Sequence, residues 1–202
     1  QMIEQFSAAS AKGGEALRKA VHEATLKGLQ SRELTLRNIK SVVKQVSSAA
    51  TMGLAQNTSA AGAVGPLVDK AIAGIDAALL KAVEANRLAL SQLVAQGADL
   101  REKHLSKALA DLEKFEDTLI ASVRKAAGGA GDQLAGAWGQ VLDKMQAGGT
   151  LSGSKATATA EKLVDDMQAA VRSSRAASLK AAQAMADSYT AMVSGVLLGM
   201  SE

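Results

Sequence analysis

A seam of mostly apolar residues recurs at spacings of three and four along residues 72–123. It runs Ile72, Ile75, Leu79, Val83, Asn86, Leu90, Leu93, Gly97, Leu100, His104, Ala108, Leu112, Phe115, Leu119 and Val123. That period belongs to an α-helix with one buried stripe, and its persistence over many turns to a coiled-coil-like seam. The successive fours from Leu100 through His104 and Ala108 to Leu112 read as a stutter. Pro66 suits a first helical turn, and Gly128, Gly129 and Gly131 suit a helix end. The spacing therefore predicts one helix over 66–126, a spine roughly 90 Å long at 1.5 Å per residue.

What packs on that spine follows from composition. About a fifth of the 202 residues are Ala, and Phe6, Phe115, Trp138 and Tyr189 are the whole aromatic set. Alanine buries about one methyl, on the order of 0.8 kcal/mol. It is also the best helix former and lets helix axes approach closely. With one proline and no period-two β-branched run, the chain is expected to be all-α. The expected architecture is an elongated antiparallel bundle of long amphipathic Ala-rich helices with coiled-coil-like seams, a single domain over 1–202. The remaining helices are expected at 14–29, 35–57, 132–147 and 155–200, with Thr35 and Asp132 as N-terminal caps and residues 1–13 frayed. The last helix carries a stripe of small residues and methionines, adaptable but weakly specifying.

The charge balance narrows the partners. Twenty-three basic residues face 20 acidic ones, and the signs interleave rather than gather, so no specific nucleic-acid footprint is expected. Glu15–Lys19, Glu23–Lys27, Glu33–Arg37 and Asp99–Lys103 place acid four residues before base, the favourable helical order. No cysteine is present, which excludes disulfides and thiolate chemistry and fits a reducing, cytoplasmic setting. The longest uncharged run, 47–68, contains Gln56, Asn57, Gly62, Gly65 and Pro66, too polar and broken for a transmembrane helix. No basic-then-apolar leader opens the chain, and Gln1 in place of Met leaves room for a longer natural N-terminus.

The motifs that would carry chemistry fail on spacing. Residues 148–156 read GGTLSGSKA. A phosphate-cradling loop needs its lysine one position earlier, a hydroxyl where Ala156 stands, and a preceding strand. Gly129 and Gly131 open a dinucleotide-like pattern whose third glycine position is Leu134. Lys19 and Arg101 stand three residues before His22 and His104, where an inward-facing di-iron motif needs Glu. We therefore expect no catalytic, cofactor-binding or metal residues, and no enzyme.

The C-terminal end is the expected interaction surface. Residues 189–200 carry no charge, and Tyr189, Met192, Val193, Val196, Leu197, Leu198 and Met200 cover more than one helix face. Gly195 and Gly199 have the spacing that admits a close neighbouring helix. A helix buried only in its own bundle keeps a polar side, so this end is expected to meet another copy, a protein partner, or an apolar polymer or lipid surface.

Segments 74–90 (GIDAALLKAVEANRLAL) and 105–119 (LSKALADLEKFEDTL) resemble a family of bacterial helical proteins with no assigned function. In composition the chain also resembles phasins, the amphipathic coat proteins of polyhydroxyalkanoate granules. That resemblance implies a cytoplasmic, non-catalytic, oligomer-forming surface binder, although the methionines and glycines near the C-terminus depart from the Lys/Ala-rich tails of many phasins. The expected function is a non-enzymatic helical scaffold or self-assembling interaction protein. The alternative is a phasin-like coat on a hydrophobic granule or lipid surface. A third reading, a helical pore former, would use the uncharged 47–68 region as a mobile element.

Overall fold

Helix propensity and local caps set most of the elements. The computed structural model describes residues 1–30, 32, 35–57, 64–96, 103–173, 189, 192, 193 and 196–200, with the backbone alone at 103, 104, 133 and 170–173. Its helices are α1 (Met2–Lys12), α2 (Gly14–Gln30), α3 (Leu36–Ala55), α4 (Val64–Ala95), α5 (Lys103–Glu113), α6 (Phe115–Ala127), α7 (Asp132–Gly148) and α8 (Leu151–Ser173). Residues 196–200 are also helical, and no strand occurs among the described residues. Thr35 caps α3 as the sequence predicts, its side chain accepting from the Asn38 N–H at 3.2 Å. Pro66 lies in the first turn of α4.

Three local sequence expectations change. Residues 2–12 are not frayed: they form α1, anchored by fully buried Phe6. The Asn57 side chain reaches back to donate to the Ser7 carbonyl and to the Ser10 hydroxyl, so a tertiary contact orders a segment with weak local signals. The N-cap of α7 is Gly131, with Asp132 in the first turn as a favourable acid near the positive helix end. The last helix begins at Leu151 rather than 155, for a reason given below. The uncharged 47–68 stretch is divided between the buried end of α3 and the start of α4, and 58–63 lie outside the described residues.

The largest change concerns the spine. The helix predicted over 66–126 ends at Ala95, resumes at Lys103 and is interrupted again at Lys114, whose φ of −95° and ψ of 4° leave the helical region. Asp76 and Glu116 would stand some 60 Å apart on one straight helix, yet both bond the same first turn of α8. The chain must therefore reverse direction between them. Residues 97–102, with Gly97 and Leu100 of the seam, lie outside the described set, and Ala108 and Leu112 of the stutter lie within α5.

The bundle closes around α4, which packs on α2, α3, α7 and α8. Ala71, Ala78, Ala82, Ala85 and Ala89 are fully buried between Ile75, Leu79, Val83, Leu90 and Leu93, so alanine buys close approach rather than area. Gly74 shows how close: a Cβ there would collide with the Arg18 carbonyl oxygen and lie 3.2 Å from the His22 amide of α2. All four aromatic side chains are buried. The few large side chains thus anchor separate parts of the core, Phe6 in α1, Phe115 in α6, Trp138 in α7 and Tyr189 near the C-terminus.

Candidate interaction surface

The uncharged C-terminal end is largely covered by its own chain. Tyr189, Val193 and Leu197 are buried in the core, and Met192, Val196 and Met200 pack half-buried against it. Lys81 of α4 donates to the Met200 carbonyl at 3.1 Å, satisfying an end group of that helix. Leu198 alone among the large apolar residues of this end is exposed, at 51%, beside exposed Gly199. Gly195 lies outside the described residues. The bundle therefore supplies most of the cover that the sequence assigned to an outside surface, and leaves a small apolar edge.

The glycine-rich loop before α8 is occupied from within. Thr150 donates its N–H to Glu116 Oε1 at 2.6 Å, and its hydroxyl accepts from the Gly153 N–H at 2.9 Å. Leu151 and Ser152 donate their N–H groups to the two oxygens of Asp76 at 2.9 and 3.0 Å. Two carboxylates, one from α4 and one from α6, thus take the N–H groups that a phosphate would need. Gly153 leaves room for this arrangement, since a Cβ there would stand 2.5 Å from Glu116 Cδ and displace the carboxylate. Gly149, at φ 71°, supplies the left-handed turn that ends α7. The loop is a carboxylate-capped helix start.

Deeper along the same interface, Glu84 of α4 pairs with Arg87 through Nε at 3.0 Å and through Nη2, while Lys155 of α8 stands 3.1 Å from its other oxygen. The Arg87 guanidinium, and then Lys155, hold the Glu84 carboxyl down at about 2 against the opposing effect of burial. The His22 imidazole is pushed below its usual value by burial first, and then by Lys81 and Arg18. Of these groups, the Glu84–Lys155 pair joins α4 to α8. Among the described residues no three His, Asp or Glu side chains are grouped to hold a metal ion.

The charges pair differently from the sequence expectation. Glu15 bonds Arg18 and Lys70 rather than Lys19, and Glu23 and Lys27 form no ion pair among the described residues. The Glu33 and Asp99 pairs involve residues outside the described set. Lys144–Asp69 and Lys155–Glu84 link α7 and α8 to α4, both at 3.1 Å. At Glu15 the partner Lys70 on α4 takes the place of Lys19, the i,i+4 preference being worth only about 0.3–0.5 kcal/mol per pair.

One surface has no ion pair among the described residues. Helix α3 carries Arg37, Lys40 and Lys44, all exposed, and no acid from Leu36 to Ala55. Helices α3 and α6 flank an open groove of about 630 Å³ lined by Leu36, Arg37, Lys40, Lys114, Asp117, Thr118 and Ala121. Asp111 accepts from the Leu36 N–H at 3.3 Å at the head of the groove. Among the described residues none of the three lining cations has an ionic partner. Leu36 and Ala121 are the apolar part of its lining, beside three cations and the Asp117 carboxylate.

The profile of a family described only as a family of unknown function (DUF6781) matches residues 1–202. The chain belongs to that family. No curated protein and no solved structure matches it. Among the described residues of this DUF6781 chain, no helix is long and apolar enough to cross a membrane. The α3–α6 groove is the feature that the sequence reading passed over. Its signal was present in the acid-free stretch of α3, but the partner helix α6 could be assigned only once the spine was seen to reverse.

Proposed function

We propose that this chain is a non-enzymatic helical scaffold whose work is association, with further copies or with a protein partner, through exposed helix faces. The observation that carries the reading is the α3–α6 groove, where among the described residues Arg37, Lys40 and Lys114 have no ionic partner and Leu36 and Ala121 supply apolar lining. Unpaired charge flanking an apolar strip suits a docking face, because complementary charge steers and orients a partner while the strip is dehydrated on contact. The test is sedimentation of the full chain over a concentration series, together with crosslinking in native cells. A monomer at every concentration that crosslinks to no protein would sink the reading.

A second reading, a coat on a hydrophobic granule or lipid surface, draws on the edge formed by exposed Leu198 beside half-buried Met192, Val196 and Met200. Flotation with triglyceride droplets or polyester particles tests it. Binding that disappears in Leu198→Asp or Val196→Asp while self-association persists would favour the coat, and absence of flotation in the parent would exclude it.

A further inference from the structure

Helix α8 carries the counterpart of the basic groove. Glu161 and Asp165 are exposed one turn apart, and among the described residues neither has an ionic partner. The neighbouring Lys162 is held by Asp166 at 2.8 Å, so it does not offset them. Exposed Ala158 and Ala169 flank the two acids. Small side chains at these positions let another helix approach closely.

On α3, Lys40 and Lys44 are likewise four residues apart, so both pairs are separated by about 6 Å along their axes. Within one molecule α3 packs on α1, α2, α4 and α6, whereas α8 packs on α4, α5 and α6. Among the described residues no ion pair joins the two faces within one molecule.

We propose that copies of this chain assemble head to tail, the acidic face of α8 in one copy seated in the basic α3–α6 groove of the next. Glu161 and Asp165 then face Lys40 in the groove and Lys44, exposed on α3 one turn beyond its lining, and the flanking alanines rest over Leu36 and Ala121. The occupant is a second copy because the same chain presents both complementary faces at matching spacing. A nucleic acid fits less well, since the aromatic side chains that would stack on bases are buried. A contact between two different faces is heterologous, so it propagates until a ring closes or a filament grows.

This inference rests on the self-association reading above, and the experiment separates the two. Sedimentation velocity compares the parent with K40E/K44E and with E161K/D165K, circular dichroism having shown each folded. Each variant alone should weaken association by at least about tenfold, since attraction becomes like-charge repulsion at two positions. Mixing the two variants should restore association, because each then offers the other a complementary face. High salt should weaken the parent's association, since exposed charges are screened within about 8 Å at physiological ionic strength. If the parent associates but neither variant alters it, or mixing restores nothing, the α8–groove contact is wrong while a scaffold assembling elsewhere survives. If the parent is monomeric throughout, self-assembly falls with it.

Discussion

Gly74 and Gly136 both sit inside helices, yet their surroundings set opposite expectations. At Gly74 a Cβ would collide with backbone of α2, which cannot swing aside as a flexible side chain can. Gly74→Ala should therefore cost about 1–3 kcal/mol, the range for overpacking a tight core. At Gly136 nothing lies within 4 Å of a built Cβ, so Gly136→Ala should stabilise by about 0.5–1 kcal/mol through helix propensity alone. Urea unfolding of the pair checks both signs at once. Glu84 gives a residue-scale prediction in pH. Its folded value of about 2 lies below the unfolded range near about 4.3, so the folded state binds fewer protons. The stabilisation is full above about 4.3 and is lost as pH falls toward about 2. Glu84→Gln should lower stability at neutral pH, leaving Arg87 and Lys155 without their carboxylate, and should flatten this acid slope. Urea midpoints measured across that window would show an unchanged slope if the ion cluster were idle.

At the scale of elements, the start of α8 is where three helices are tied. Asp76 from α4 and Glu116 from α6 satisfy N–H groups that the glycine-rich loop leaves open. Removing a capping carboxylate typically costs about 1 kcal/mol and at most about 2. Asp76→Ala should therefore destabilise by that amount and speed hydrogen exchange at Leu151 and Ser152 before the rest of α8. Gly153→Ala acts through Glu116, by pushing its carboxyl off Thr150. The substitution should consequently cost less in a Glu116→Ala background than in the parent, and a double-mutant cycle with no coupling would reject the arrangement.

For the whole molecule, the decisive property is that few large side chains hold many alanine contacts together. Trp138 is the sole tryptophan and is fully buried where α7 joins the bundle. Its emission should be blue-shifted and poorly quenched by acrylamide. Its loss on heating should coincide with loss of the far-ultraviolet helix signal if α7 unfolds with the rest. Exposure of Trp138 well before the helix signal falls would mean that α7 detaches as a separate unit. The same spectra should report helix well above about 70%, against roughly a third in ordinary globular proteins.

The sequence by itself determined that this chain is helical, because alanine content, three-four periodicity and scarce prolines all act locally. It also placed the N-terminal cap at Thr35, the first-turn Pro66 and the glycine break after α7, since caps and breakers are local steric and hydrogen-bonding effects. Only the tertiary structure decided the rest. The seam from Ile72 to Val123 reads as continuous because periodicity records which face is buried, not whether the helix carrying it reverses. Phe6 made α1 a helix by burial, and Asp76 and Glu116 moved the start of α8 by reaching it from other helices. At the uncharged end near Leu197, packing decided which side chains the bundle covers, Tyr189, Val193 and Leu197, and which stays exposed, Leu198. The basic groove was half legible, as three cations and no acid on α3. Its other wall, α6, is fixed by packing alone.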